Sequence, residues 1–339
     1  MARVAYYNPL GGSKALVEAI PGCDIMQVTV FPRTTQGFGP GQHSFLYLGG
    51  LPKFWQSHPF SIAAWSFGPT SPTPASAPSP NTGSDNEKAP ATVHSHPSSP
   101  TPNNSTSTSK PSIRFLIRPR TGTTSHLLHD LHSSSSSTPV KSQLPLRVYI
   151  EGPYAGHRAA LYPLATADTV LCVAGGIGIT HVLGVLQQIR ESMQQQQVQN
   201  GQQGSGSGGV GVSKPKRKRV VLAWSARERG LMEHVRREFL AVEEGLECWF
   251  WCTGDGQEKE VGGESREGGG EPEGIAEGEE VKAERMDVGK VMRECVEAGR
   301  QTAVVVCAPG GMADEVTRQV VACVRDGFRV DLLEEAFAW

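Results

Sequence analysis

The alternation of hydrophobic and polar residues divides the chain into two parts. In the first part, short alternating or β-branched segments are bounded by glycine and proline, a pattern typical of an antiparallel barrel or sandwich. The predicted strands include residues 25–31, 44–48, 61–66, 113–118 and 146–151. We expect an antiparallel six-stranded barrel within a first domain at residues 1–160.

The second part of the chain has a different pattern. A wholly apolar run at 170–174 leads into a glycine-rich turn and a helical pattern that reaches about residue 190. Further apolar runs lie at 220–225, 246–252 and 303–307, and helical patterns lie at 229–242, 286–299 and 311–326. Because strands alternate with helices, we expect a doubly wound parallel sheet in a second, α/β domain at 161–339.

Three low-complexity stretches interrupt these patterns. They lie at about 68–112, 194–213 and 254–280, and are rich in Ser and Pro, in Gln and Gly, and in Gly and Glu respectively. Segments of this composition bury too little apolar surface to offset chain entropy, so we expect disordered insertions in surface loops. The basic cluster at 214–219 is interpreted as a solvated charge run, with a nuclear-import or anionic-lipid signal as the alternative.

Composition excludes several classes of protein. The formal net charge of -2 over 339 residues argues against a nucleic-acid partner. The seven cysteines, without a signal peptide, are expected to be reduced thiols. Cys248 and Cys252 have no accompanying ligand pair, so no metal site is predicted. No apolar run approaches the ~18 to 20 residues of a transmembrane helix.

The glycine-rich turn after the first apolar run is the first candidate for chemistry. Gly175, Gly176 and Gly178 would let backbone N–H groups approach an anion, and the helix that begins near Thr180 would add its positive end. The turn is not the Gly-x-Gly-x-x-Gly fingerprint, because His181 stands at its last position. A tight strand-to-helix connection is the alternative. Ligand binding is favoured because the turn follows a strand's carboxyl end.

The next predicted strand ends in a hydroxyl and two guanidiniums. Ser225, Arg227 and Arg229 would lie where the adenosine ribose of a dinucleotide binds in such a sheet. Arginine side chains match phosphate oxygens, so a 2′-phosphate, and hence NADPH, is the expected ligand. NADH stays open, as does the alternative that both arginines are exposed residues of a helix's first turn.

The strand at 303–307 ends in Cys307 and is followed by Pro309, Gly310 and Gly311. This places a second strand, turn and helix start at the same edge of the sheet. The thiol could flank a nicotinamide ring without acting as a nucleophile. The alternative is a buried structural cysteine.

Taken in order, these motifs resemble the ferredoxin-reductase-like flavoprotein module of fungal ferric reductases and NADPH oxidases. The resemblance covers about 15–66 and 113–339, and includes the His-Pro-Phe-Ser segment at 58–61 and the aromatic end of the chain. It implies FAD and NADPH as cofactors. The residues that it implies for FAD are His58, Pro59, Phe60 and Ser61, with Gly122 and Thr124 near the pyrophosphate.

The resemblance also assigns the remaining residues. It implies that Gly175, Gly176, Gly178 and Thr180 bind the NADPH pyrophosphate, that Cys307, Gly310 and Gly311 lie on the nicotinamide side, and that Phe337 and Trp339 cover the flavin. Ser61, Cys307, Phe337 and Trp339 are the expected catalytic residues. Hydride would pass from NADPH to flavin, which releases single electrons to a ferric chelate or another one-electron acceptor.

Two other functions remain open, and three departures from the family bear on them. The chain could reduce oxygen to superoxide, or serve as a non-catalytic partner of a full-length reductase. Ala308 replaces a glycine, and Ala155 is an additional residue in the Gly-Pro-Tyr-Gly turn at 152–156. The family's haem-binding membrane domain has no counterpart in this chain, so haem is expected only on such a domain or partner. The resemblance implies a location on the cytosolic side of a membrane.

Overall fold

The computed structural model describes residues 8, 11–32, 38–51, 55–66, 110–134, 143–156, 162–203, 218–240, 245–254 and 281–335. Within 196–203 it describes only the helical backbone. Two sheets organise these residues, one antiparallel and one parallel.

The first sheet is antiparallel and has seven strands in the order β4-β3-β7-β1-β2-β6-β5. Alternate residues of these strands are buried, as in β3, and together they form an apolar barrel core. The strands are β1 Ser13–Ala19, β2 Met26–Phe31, β3 Gln42–Gly49, β4 Ser57–Ser61, β5 Ala64–Ser66, β6 Ser112–Ile117 and β7 Gln143–Ala155. A helix, α1 Thr123–Ser134, follows β6.

The sheet closes through the short segment between its two edge strands. The N–H of Ile62 donates to the carbonyl of Gln42 in β3 at 3.0 Å, whereas the N–H of Ala63 donates to the carbonyl of Arg114 in β6 at 2.9 Å. The chain therefore changes partner strand between these two residues and joins the ends of the sheet. The strand predicted at 61–66 is therefore divided between the end of β4 and β5. For this reason the sheet has seven hydrogen-bonded strands instead of the expected six.

The second sheet is parallel throughout, with the order β11-β10-β9-β8-β12-β13. Its strands are β8 Thr169–Gly175, β9 Arg219–Ala226, β10 Leu246–Cys252, β11 Val281–Lys282, β12 Gln301–Cys307 and β13 Arg329–Glu334. Its helices are α2 Tyr162–Thr166, α3 Ile179–Gln203, α4 Arg229–Val235, α5 Val288–Cys295 and α6 Gly310–Arg325. Gly176–Gly178 forms a 3-10 turn before α3, and Arg236–Leu240 forms a π-helical turn after α4.

Helices cover both faces of the parallel sheet. Alternate residues of β8 contribute to two separate apolar cores, one shared with α3 and α4 and the other with α5 and α6. Every residue of β8 is buried, which explains why this strand is a continuous apolar run in the sequence. The predicted barrel and doubly wound sheet are both confirmed.

Helix α3 extends further than the hydrophobic pattern predicted. Its backbone continues to Gln203, well into the stretch 194–213 that was predicted as a disordered insertion. Glutamine is a good helix former, so a Gln-rich segment can continue a helix that tertiary contacts have already started. Two described residues of the basic cluster at 214–219 have partners: Lys218 donates to the carbonyl of Leu164 at 2.5 Å, and Arg219 pairs with Glu247 at 2.8 Å.

The barrel and the parallel sheet share one apolar core along a seam formed by α3 and α4. Ile20, Ile25, Ala63 and Leu116 of the barrel belong to the same cluster as the buried residues of these two helices. On α4, a Cβ at Gly230 would lie 2.1 Å from the carbonyl oxygen of Pro21, so the helix contacts a barrel turn through bare backbone. The barrel therefore packs directly against the helices that cover one face of the parallel sheet.

Polar contacts fix the position of α3 on this seam. The side-chain amide of Gln187 accepts a hydrogen bond from the N–H of Trp65 at 3.2 Å and donates to the carbonyl of Trp65 at 2.8 Å. One turn earlier, a Cβ at Gly184 would lie 3.0 Å from the carbonyl oxygen of Ile62. Both contacts reach the segment that closes the barrel.

We expect Gln187→Leu to reduce the free energy of unfolding by about 1 to 3 kcal/mol, because the N–H and C=O of Trp65 lose their buried partner. The matched control is Gln188→Leu, since Gln188 bonds only to Ser192 of its own helix among the contacts that the structure records. Its cost should stay within about 0.5 kcal/mol. Urea unfolding of both variants measures the two losses of unfolding free energy. Equal losses would contradict the contact between Gln187 and the backbone of Trp65.

Candidate functional site

Two turns meet at the carboxyl edge of the parallel sheet, after β8 and after β12. Ala174 and Cys307 are paired across these strands. A Cβ at Gly178 would lie 2.1 Å from the carbonyl oxygen of Cys307, and a Cβ at Gly175 would lie 2.4 Å from Cδ of Pro309. Gly175 and Gly178 are thus required for the close approach of the two turns, in addition to any approach of a ligand.

Gly176 has a different environment within the same turn. Its φ of 54° lies in the left-handed region, and a Cβ there would meet only Nη2 of Arg118, at 3.9 Å. The indole N–H of Trp224 donates to the carbonyl of Gly176 at 3.0 Å, and the hydroxyl of Thr180 donates to the carbonyl of Ile177 at 2.9 Å. These two hydrogen bonds fix one side of the turn. The other side, where α3 begins, faces the guanidinium of Arg118. A helix start beside a guanidinium favours an anion.

Ala308 fits between the two turns. Its Cβ lies 3.0 Å from the position that a Cβ of Gly175 would take, and the residue packs against the apolar core on the α5 and α6 face. Because Gly175 has no side chain, the methyl group of Ala308 is accommodated between the two turns. Gly310 and Gly311 follow, and neither would bring a Cβ within 4 Å of another group in the described structure.

Cys307 is a buried thiol. Only 2% of the residue is exposed, and burial raises the pKa of the thiol to about 12, with Glu335 adding to the shift. The thiol is therefore protonated at neutral pH, which disfavours a nucleophilic role. Burial also raises the pKa of Glu335, whose N–H donates to the carbonyl of Val306 at 3.0 Å. The sequence placed Glu335 at the start of the aromatic terminal segment without assigning it a role, and Phe337 and Trp339 lie outside the described residues.

The end of β9 lies beside the glycine-rich turn. Ser225 is buried and pairs with Gly175 in the β8–β9 register. Arg229 forms an ion pair with Glu233 of its own helix at 3.3 Å, whereas Arg227 is exposed and its guanidinium has no recorded partner among the described residues. Of the two arginines predicted for the ribose side, Arg227 is therefore the one that is available to a phosphate.

An ion pair crosses the seam in front of this edge. Arg118 follows β6 of the barrel, and Glu228 precedes α4. Their side chains form two contacts, from Nη1 to Oε1 at 2.8 Å and from Nη2 to Oε2 at 3.1 Å. Sequence reasoning assigned no role to either residue, because Arg118 and Glu228 are far apart along the chain.

The predicted flavin segment forms β4. The register pairs His58 with Leu46 and Phe60 with Ser44, two residues of the barrel interior, and Phe60 packs against the barrel core. Nε2 of His58 is enclosed, with no hydrogen-bond partner among the described residues. An enclosed ring nitrogen of this kind calls for a polar partner. Pro59 and Ser61 occupy the alternate positions of the strand.

Gly122 and Thr124 lie at the start of α1. Gly122 has a φ of 94°, which glycine adopts readily. The hydroxyl of Thr124 accepts from the N–H of Arg120 at 2.9 Å, so it closes the turn before the helix. The hydroxyl of Thr123 is buried without a partner in the described structure. The unpaired Thr123 hydroxyl and the helix N-terminus fit a group that carries phosphates. The unpaired nitrogen of His58 fits a group with polar ring edges.

The seam brings the barrel elements next to the sheet edge. His181, the residue after Thr180, is buried, and its Cε1 would lie 3.3 Å from a Cβ at Gly41. Gly41 precedes β3, whose residue His43 pairs with Ser61. Burial lowers the pKa of His181 to about 4, so this imidazole is neutral at the contact. The start of α3, the end of β4 and the Arg118 segment therefore lie close together, and the region that they border is called the cofactor cleft below.

The additional Ala155 occupies the turn where β7 ends. It has a φ of 62° and pairs with Gln42 across the barrel. A Cβ at the following Gly156 would lie 2.6 Å from the carbonyl oxygen of Pro40, so this turn packs tightly onto the loop before β3. Ala155 is accommodated without separating the two loops.

Comparison with family models identifies both parts of the chain. Residues 167–321 match the ferric reductase NAD binding domain, and residues 10–70 match an FAD-binding domain. Together these matches cover more than half of the chain. The chain contains a ferric-reductase-type NAD-binding domain and an FAD-binding domain. No curated protein matches this ferric-reductase-type chain significantly.

Solved structures show the same fold at low sequence identity. A ferredoxin NADP+ reductase from Neisseria gonorrhoeae, with bound FAD and NADP, is 8% identical with a TM-score of 0.50, over 95% of this chain and 97% of that one. Full-length CYP116B46 from Tepidiphilus thermophilus is 16% identical with a TM-score of 0.47, over 96% of this chain. The present chain spans only 29% of CYP116B46. The fold is that of ferredoxin reductases, an antiparallel barrel followed by an α/β domain with a parallel sheet.

Over the described ranges, no helix is both long enough and apolar enough to cross a bilayer.

The contacts of the glycine-rich turn predict which of its residues tolerate a methyl group. We expect Gly178→Ala to cost about 1 to 3 kcal/mol of unfolding free energy or more, since the Cβ would overlap the Cys307 carbonyl. Gly310→Ala, with open space around its Cβ, should stay near the wild-type value and serves as the control. Thermal and urea unfolding measure both. A Gly178→Ala variant as stable as Gly310→Ala would rule out the close approach of the two turns.

Proposed function

We propose that this chain is an NADPH-dependent, FAD-containing oxidoreductase that passes electrons singly to a ferric chelate. The observation that carries the proposal is the meeting of the two strand-end turns, after β8 and β12, in a cleft bordered by the flavin segment of the barrel. The matches to a ferric reductase NAD-binding domain and an FAD-binding domain support the same conclusion. The bound flavin would supply the conversion of a hydride pair into single electrons.

The residues of the chain bind and orient the cofactors in this proposal. His58, Pro59, Phe60 and Ser61 would hold the flavin, and Gly122 and Thr124 would shape the helix start that faces its pyrophosphate. Gly175, Gly176, Gly178 and Thr180 would form the NADPH pyrophosphate turn, with Ser225 and Arg227 at the ribose. Cys307, Gly310 and Gly311 would border the nicotinamide, and Phe337 and Trp339 would cover the flavin face.

Acid–base catalysis is not needed for this reaction. The Cys307 thiol, with its pKa raised to about 12, stays protonated over the working pH range. Its role would be that of a small, polarisable wall beside the nicotinamide. Ser61, at the end of β4, would supply a hydroxyl at the flavin edge, as the family resemblance implies.

Preference for NADPH rests on Arg227. Arg229 is engaged by Glu233, and Glu228 is engaged by Arg118, which leaves the exposed Arg227 for a 2′-phosphate. An acidic residue at this place in a dinucleotide fold would favour the ribose hydroxyl of NADH. Glu228 is an acidic residue near this place, but Arg118 neutralises its charge, so a preference for NADH is weakened.

The electron acceptor separates this proposal from its two alternatives. We expect the FAD-reconstituted chain to oxidise NADPH under anaerobic conditions with ferric citrate or ferricyanide as acceptor. In air, a superoxide-producing enzyme would reduce cytochrome c in a reaction that superoxide dismutase suppresses, and ferric chelate would not compete. A flavin-loaded chain that fails to oxidise NADPH with every one of these acceptors would instead support a non-catalytic partner of a haem-bearing membrane reductase.

Arg227→Gln is expected to lower kcat/KM for NADPH by about tenfold while leaving that for NADH almost unchanged, because one charge-assisted hydrogen bond to phosphate is lost. Arg229→Gln is the control, since its guanidinium is already paired within α4. Steady-state rates with both nucleotides give the ratio. Equal losses for NADPH and NADH would show that Arg227 does not contact a 2′-phosphate.

A further inference from the structure

A cavity lies in the seam between the barrel and the α/β domain. Its volume is about 200 Å³, and its walls come from β5 and β6 of the barrel and from α3 and the π-helical turn of the other domain. Trp65, Arg114, Arg190, Arg237, Glu238 and Phe239 are the lining residues that determine its chemistry. Water occupies roughly 30 Å³ per molecule in the liquid, so this space can hold a small organic ligand.

This cavity is separate from the cofactor cleft. Arg190 lies about 16 Å from the glycine-rich turn along α3, at the rise of an α-helix. Arg114 lies roughly 13 Å along β6 from Arg118, which borders the cleft. The cavity and the cleft therefore lie toward opposite ends of the same seam, and no cofactor contact proposed above reaches the cavity.

Positive charge is concentrated in the cavity. Three guanidiniums line it, against one carboxylate among its lining residues, that of Glu238. That carboxylate is paired with Nε of Arg237 at 3.2 Å. Glu191, next to Arg190 in the sequence, accepts a hydrogen bond from the Gln187 amide at 2.8 Å. The positive charge thus exceeds the negative charge that faces it.

Arg114 is held rigidly in this environment. Its guanidinium lies 4.2 Å from the ring centre of Phe239 and donates to the carbonyl of Glu238 at 3.2 Å. Burial lowers the pKa of Arg114, Glu238 opposes this shift, and the like charge of Arg190 reinforces it. A half-buried arginine that is fixed beside a second arginine is a preorganised donor for an anion, because guanidinium forks match phosphate oxygens.

We propose that this cavity binds a small phosphate-bearing anion, held by Arg114 from the barrel and by Arg190 and Arg237 from the α/β domain. The ligand bridges the two domains at the end of the seam remote from the cofactors. Its binding therefore favours the packed arrangement of the domains and raises the thermal unfolding midpoint of the chain.

Isothermal titration calorimetry of the full, FAD-reconstituted chain with inorganic pyrophosphate tests this proposal. We expect saturable binding with one pyrophosphate per chain and a rise in the unfolding midpoint. Arg237→Gln and Arg190→Gln should each weaken binding by about tenfold or more, the effect of losing one hydrogen bond to a charged group. Because the Arg237 side chain is 61% exposed, its replacement should leave the fold intact.

Arg325→Gln is the matched control, since Arg325 is exposed at the end of α6 on the other face of the sheet. It should bind pyrophosphate as the wild type does. Equal affinity in the wild type and all three variants would place the ligand elsewhere, such as at the glycine-rich turn, and would overturn the proposal. Weak binding that is the same for pyrophosphate and sulfate would mean an adventitious ion only. The absence of saturable pyrophosphate binding would also contradict the proposal.

Discussion

The direct packing of α3 against the closing segment of the barrel is the interaction on which the rest of the structure depends. The Gln187 amide satisfies both backbone groups of Trp65, and Gly184 lets the helix approach Ile62 without an intervening side chain. The same helix begins at the glycine-rich turn. Its docking therefore sets the distance between the flavin segment of the barrel and the sheet edge, where a nicotinamide would have to meet the flavin.

Arginine side chains from the barrel contact the α/β domain at both ends of the seam, and an apolar core lies between them. At the cleft end, Arg118 crosses from the barrel to Glu228 and faces the open side of Gly176. At the far end, Arg114 crosses in the same direction toward Phe239 and Glu238. In both places a barrel arginine from β6 or its end reaches the α/β domain. Anions bound at either end would thus act on the contact between the domains as well as on their own site.

Much of the fold could be predicted from the sequence because strands buried on both faces form unbroken apolar runs, as β8 and β12 do. Strands β1 and β13 were not predicted, since Lys14 and Glu18 in one, and Arg329 and Glu334 in the other, weaken the hydrophobic pattern. At the site, the glycine positions were predicted, but the sequence could not show that Gly178 faces the Cys307 carbonyl. That contact, like the pairing of Arg118 with Glu228, joins segments that are distant in the chain and meet only in the fold.

The central claim is that the seam holds a flavin and a nicotinamide in one cleft close enough for hydride transfer. Anaerobic rapid mixing of the FAD-reconstituted chain with NADPH, and separately with NADH, tests it most directly through the absorbance of oxidised flavin. The account predicts rapid loss of that absorbance with NADPH and slower loss with NADH. Flavin that is bound but stays oxidised with both nucleotides would contradict it.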